Sequence, residues 1–242
     1  KEYYKYAEGE RTELVELMQP ETARFNMELR TANGTPFNSE NYTFATTTTQ
    51  LEDGTQEVVM ALDITPEARM EYVYKIYNTG NPSRDYVIDF AIRQNGLAPH
   101  VSEKNEISIV WENRANHNER GFQNENMAST ITFWENEDDE MEEMDSDGSN
   151  EHHANIGWVA LKQQYFSAVF LSAERLNADM SFVSSTNGGL DYLKAYKTHL
   201  YVAFSAEQPT YNFAFYYGPN DFKILKGVTF NGEDAHLEDL IP

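Results

Sequence analysis

Residues 157–170, GWVALKQQYFSAVF, are the most apolar stretch of a 242-residue chain that carries 40 Asp+Glu against 18 Lys+Arg. Three readings compete for them: a membrane segment, a catalytic motif, or the centre of a buried sheet. Lys162, Gln163 and Gln164 interrupt the run long before the roughly 20 apolar residues that a bilayer requires. No nucleophile in it has a partner base nearby in sequence. What remains is a pair of strands broken at Lys-Gln-Gln and buried between sheets, with Trp158, Tyr165, Phe166 and Phe170 as core anchors.

The same logic extends outward, because alternate side chains of a strand point to opposite faces. In ARFNMELR (23–30), Phe25, Met27 and Leu29 share one face, while Arg24, Asn26, Glu28 and Arg30 share the other. Ile88, Phe90 and Ile92 alternate likewise, as do Ile107, Ile109 and Trp111, and Ile131 and Phe133. Further β-branched and aromatic runs lie at 57–64, 70–78, 198–206 and 211–218. Turn signals separate them at Asn33-Gly34, Asp53-Gly54, 78–82, 94–96, 186–189 and Asn231-Gly232. About a dozen strands at this spacing predict an all-β fold of two or more packed antiparallel sheets. Helix is scarce: a short turn over Arg11–Met18, and a short helix in DFKILKG (221–227) capped by Asn220 or Asp221 and stopped by Gly227.

Charge narrows the partners. A formal charge of −22 repels nucleic acid phosphates and anionic lipid alike. The absence of Cys excludes disulfides, thiol catalysis and thiolate metal sites. No G-x-S-x-G, phosphate loop or dinucleotide fingerprint is present, and Gly188-Gly189 reads as a hairpin turn. The acidic segment 135–151 holds ten acidic residues and no basic one, and it reads as a solvated loop. Within it, Asp145-Ser146-Asp147-Gly148 carries a fragment of calcium-loop spacing, but Gly follows the second Asp directly and the set of ligands is incomplete. His152 and His153 are adjacent, so an extended chain sends them to opposite sides and they cannot share a metal. His100, His117, His199 and His236 have no sequence partner that singles them out.

Two motifs carry a family resemblance. Trp158 and Lys162 followed by Gln164-Tyr165-Phe166, after Gly157, resemble a strand-pair pattern of the periplasmic domain of the YidC membrane protein insertase. Residues 216–226, YYGPNDFKILK, resemble that family's Y-x-G-P-K-x-Y-x-x-L segment, including Gly218 and Pro219, with Asn220 in place of Lys and Phe222 in place of Tyr. FNMELRTANGTPFNSENYTF (25–44) and the segment from Trp111 to Trp134 resemble further parts of Bacteroidetes-type members, in the same order.

The resemblance implies one periplasmic β-supersandwich of the galactose-mutarotase-like kind over 1–242. Residues 218–242 would form a short helix and the lead-in to a membrane helix, on the periplasmic side of the bacterial inner membrane. It implies an accessory, non-catalytic role with no cofactor, catalytic or metal residue. Gly157, Trp158, Gln164, Tyr165, Phe166, Gly218 and Pro219 would be structural motif residues. SecD, SecF and nascent membrane proteins are the implied partners. Two alternatives stay open: a cleft lined by Tyr, Trp and acidic residues that binds sugar, and an aldose epimerase or glycosidase using a His such as His199 with a Glu.

Overall fold

A computed structural model describes residues 3–5, 13–102, 106–144, 148–186, 188, 192–205 and 207–241. The first strands are Arg24–Arg30 (β1), Pro36–Asn38 (β2), Ala45–Gln50 (β3), Gln56–Thr65 (β4) and Ala68–Ile76 (β5). A short helix, Pro82–Asp85 (α1), precedes Val87–Asn95 (β6) and Glu106–Ala115 (β7), and a second, Phe122–Met127 (α2), precedes Thr130–Glu135 (β8) and Glu140–Glu143 (β9). Glu151–Lys162 (β10), Phe166–Ser184 (β11), Lys194–Ala203 (β12) and Thr210–Pro219 (β13) follow, and the chain closes with Phe222–Leu225 (α3), Thr229–Phe230 (β14) and Glu233–Asp234 (β15).

The stretch 157–170 becomes the hairpin on which the architecture turns. Gln163 N donates to Phe166 O at 2.8 Å and closes the connection between β10 and β11. The 19 residues of β11 serve two neighbours in succession. Phe166–Ser172 pairs with β13, and Leu176–Ser184 pairs with β12, while β10 runs along both parts. Between them Ser172 Oγ donates to Glu174 O, and the β10 register shifts on either side of Ile156, with Asn155 at φ +60°. Such bulges bend a strand and increase its twist.

The two arms consequently diverge, β2-β1-β7-β12 from one part of β11 and β13-β6-β5-β4-β3 from the other, every pairing antiparallel. They then meet face to face. Trp111 on β7 lies 6.1 Å from both Phe170 on β11 and Phe215 on β13, and Phe25 on β1 lies 5.4 Å from Phe90 on β6. The two packed layers that the alternation predicts are thus arms of one curled 13-stranded sheet, accompanied by the small β14–β15 ribbon.

Four readings change. Asn26, assigned to the polar face of β1, is wholly buried, because the 3₁₀ turn Ser39–Asn41 folds over it and its Oδ1 accepts from Ser39 Oγ and Glu40 N. The acidic segment is not simply a loop: Glu140–Glu143 pairs with β8, Met144 is buried, and Glu143 meets Lys162 at 2.9 Å. Tyr165 is no core anchor, being 51% exposed at the hairpin tip, whereas Trp158, Phe166 and Phe170 are buried. Among the described residues of 11–18 there is no helical turn, and Leu14 bridges to Tyr4 in extended conformation.

Candidate functional site

Both motifs of the sequence converge on the segment after β13. This segment covers the outer face of the sheet arm formed by β10, β11 and β13, where Trp158, Ala160, Val169, Leu171, Ala214 and Tyr216 would otherwise meet water. Leu225, Val228, Leu237 and Leu240 from the segment are buried against them with essentially no exposure. An outward-facing apolar row on a sheet needs such a cover.

Polar contacts fix where the cover sits. Trp158 Nε1 donates to Ala235 O at 2.9 Å, and Ser83 Oγ on α1 donates to Ile224 O at 2.7 Å. Asp221, not Asn220, caps α3, its Oδ1 accepting from Lys223 N and Ile224 N. Asn220 ties the start of α3 to the hairpin tip instead. Its Nδ2 donates to Gln163 O at 2.9 Å, its Oδ1 accepts from Ser167 Oγ at 2.8 Å, and its backbone N donates to Tyr165 O. Trp134 stacks on His236 at 4.8 Å with the rings 7° from parallel. Tyr3 packs edge-on against Phe166 at 5.2 Å, so the other end of the chain also reaches this hairpin.

The motif glycines have separate causes. Tyr216 curls back so that its Oη donates to Pro219 O at 2.7 Å, and its ring passes over Gly218. A Cβ at 218 would lie 2.6 Å from Tyr216 Oη, 2.7 Å from its Cζ and 2.9 Å from Tyr86 Cγ. At Gly157 the obstacle is the end of a single flexible side chain, Asn136 Oδ1, at 2.8 Å. Gly218→Ala is therefore expected to cost about 1–3 kcal/mol of stability, as overpacking against rings does. Gly157→Ala should cost below about 1 kcal/mol, since Asn136 is able to swing away. Urea midpoints of the two variants check the order, and equal midpoints would remove the argument.

Gln164 and Tyr165 occupy the hairpin tip, Gln164 Nε2 donating to Tyr165 Oη at 3.3 Å. Phe222, 53% exposed at the start of α3, carries Lys226 Nζ over its ring.

The histidines scatter. His152 and His153 point to opposite sides: His152 Nδ1 meets Asp179 Oδ1 at 2.7 Å, while His153 faces Glu135 and Glu151. His100 lines an apolar cavity of about 450 Å³ beside Leu29, Phe37, Leu97 and Val101. His117 lies 3.6 Å from the buried Glu125. His199 edges an open hollow of about 310 Å³ with Glu28, Glu106 and Tyr201. There Tyr201 donates to Asp179 Oδ2 at 2.9 Å, and burial followed by that carboxylate pushes its phenol up to about 12. His236 stands with Asp234 and Glu238 on the C-terminal segment, a grouping foreshadowed only by the i, i+2, i+4 spacing in EDAHLE. The calcium-like triplet Asp145–Asp147 and Gly189 lie outside the described residues; Gly188 has φ +64°.

The chain matches the family model described as the YidC periplasmic domain over residues 1–241. It belongs to that family. Among similar proteins, the membrane protein insertase YidC of Phocaeicola vulgatus is 31% identical over 166 residues, covering 64% of this chain and 26% of that protein. Those of Azobacteroides pseudotrichonymphae and Parabacteroides distasonis are 23% and 26% identical, each over 93% of this chain and 36% and 35% of their own lengths. The chain thus spans about a third or less of the insertases it matches. No helix among the described residues of this YidC periplasmic domain is long and apolar enough to cross a membrane.

Proposed function

We propose that residues 1–242 act as one accessory, non-catalytic unit on the periplasmic side of the inner membrane. The unit assists insertion and folding of membrane proteins by holding a fixed orientation relative to a membrane helix beyond Pro242. The observation that carries this reading is the C-terminal cover: Trp158, Ser83 and Asn220 fasten it from three places, and Leu225, Val228, Leu237 and Leu240 bury it. A segment built into the sheet in this way moves with the sheet rather than trailing from it. Tyr165 and Phe222, exposed beside it, offer aromatic contact surface for nascent membrane proteins or for SecD and SecF.

The test is made in the full-length insertase. A flexible Gly-Ser spacer of about ten residues after Ile241 decouples the domain from the downstream chain without touching its core. Insertion of a dependent substrate is expected to fall several-fold while the domain's melting temperature stays unchanged. Undiminished insertion would falsify the rigid coupling. Photo-crosslinkers at positions 165 and 222 report whether SecD, SecF or nascent chains lie there.

The hollow around His199, Tyr201, Glu28 and Glu106 supports a second reading, carbohydrate binding, since it places an aromatic face beside carboxylates at an open surface. Calorimetric titration with mono- and oligosaccharides and an anomerisation assay decide it. Absence of heat and of turnover dismisses it.

A further inference from the structure

The C-terminal segment carries a constellation that the insertase reading does not use. Asp234, His236 and Glu238 each present one ligand atom, and these atoms all lie within 4.8 Å of one another. The backbone is shaped to bring them together. His236 adopts left-handed geometry, φ +53°, between β15 and the 3₁₀ turn Leu237–Leu240, and Asp234 Oδ1 accepts from His236 N at 3.0 Å.

The arrangement is held from below. Ala235 and Leu237 are buried on either side of His236, Trp158 Nε1 holds Ala235 O, and the imidazole is clamped flat against Trp134. Ligands on so fixed a frame lose little freedom on binding an ion.

A separate observation points to a ligand. Glu238 is half-buried, and its Oε2 is out of reach of solvent with no hydrogen-bond partner among the described residues. A buried carboxylate oxygen without a donor carries an uncompensated desolvation cost. Among the described residues no Lys or Arg forms an ion pair with any of the three groups.

We propose that Asp234, His236 and Glu238 bind a divalent transition-metal ion, Zn2+ foremost, which clasps the end of the C-terminal segment. One imidazole and two carboxylates suit Zn2+, Co2+ or Ni2+, leaving a fourth position for water, whereas Ca2+ and Mg2+ favour all-oxygen sets. The net charge of −22 raises cation concentration near the surface and assists loading. The proposal stands whether or not the coupling to a membrane helix holds.

The stacked indole supplies the readout. Zn2+ is titrated calorimetrically into the metal-free chain 1–242, and Ni2+ is followed by quenching of Trp134, which touches His236. One ion per chain is expected, reversible by EDTA and not displaced by millimolar Ca2+ or Mg2+. His236→Gln and Glu238→Gln should each weaken Zn2+ by about tenfold or more and remove the Ni2+ quenching. His153→Gln, in the other grouping of Glu135, Glu142 and His153, should change neither. Matching melting curves of the metal-free variants exclude unfolding as the cause, and if His236→Gln disturbs the fold, Glu238→Gln carries the same test. The proposal is overturned if no Zn2+ binds at micromolar concentration, if both variants bind like wild type, or if binding is lost with His153→Gln instead.

Discussion

Trp158→Ala is expected to lower the unfolding free energy by roughly 3–5 kcal/mol, the range for removing a buried indole. The ring is 3% exposed, stacks at 6.2 Å on Trp134, and roofs the outer face of the sheet beneath the C-terminal cover. Two losses combine. Deleting the ring opens a cavity between sheet and cover, and Ala235 O loses the donor that satisfies it in a buried position. Trp158→Phe separates them, because it keeps most of the volume and forfeits only the hydrogen bond, at about 1–2 kcal/mol. Urea midpoints with an unchanged denaturant slope give both values. The result also tests the joint: if residues 219–241 were a loosely attached tail, Trp158→Ala would cost below about 1 kcal/mol, and the idea of an integral cover would fall.

The strand content was legible because each core strand repeats one physical rule. Met27 and Leu29, Phe90 and Ile92, and Ile107, Ile109 and Trp111 alternate in sequence and are buried together. The turns were legible for a local reason as well: Gly34, Gly54 and Gly232 take φ near +84°, +87° and +83°, which glycine adopts without strain. The features that escaped were decided by distant parts of the chain. Asn26 reads as solvent-facing until a turn 13 residues on supplies its partners. Glu140–Glu143 looks too charged for a sheet, yet as an edge strand it needs only one neighbour, and its charges discourage pairing with another chain. Tyr165 shares its apolar character with Phe166, but the two-sided geometry of a hairpin tip exposes one and buries the other.

The site was legible in the same partial way. Gly218, Pro219 and Trp158 stand out as motif letters, but only the fold shows that they act on one object, the cover. Trp158 and Ala235 are separated by 77 residues, and Ser83 and Ile224 by 141, so no local spacing reports either contact. Asp234, His236 and Glu238 had the converse problem: the spacing is local, but alternating acidic residues are common in a chain with 40 of them, and the left-handed turn at His236 is what distinguishes this set.

Wild-type stability should fall as pH rises from about 4.5 to about 7, and Glu125→Gln should abolish that part of the slope. Glu125, on α2, is 2% exposed, and its two carboxylate oxygens accept from Asn118 N at 3.0 and 3.1 Å and from Glu119 N at 3.1 Å. Those bonds favour the ionised form, but burial outweighs them and pushes the carboxyl up to about 7, against an ordinary value of 4.5.

The sign follows from which state holds the proton. Below about 4.5 folded and unfolded chains are both protonated at this group, and its favourable contribution is complete. Between about 4.5 and 7 the folded state keeps a proton that the unfolded state has released, so stability drops with pH by up to ~3 kcal/mol in total. Above about 7 both are ionised and the slope from this group ends. Glutamine stays neutral throughout; with its amide nitrogen in the Oε2 position it keeps the bond from Asn118 N to Oε1 and forfeits the one from Glu119 N, a loss that does not vary with pH. The difference in urea-derived stability, variant minus wild type, should therefore grow by roughly 2–3 kcal/mol from about pH 5 to about pH 8. The comparison cancels the groups whose values are lowered instead, such as Asp179 and Asp85, because both proteins share them. Parallel pH curves for the two proteins would mean that Glu125 is ionised in the folded state across this range, held so by the three backbone hydrogen bonds.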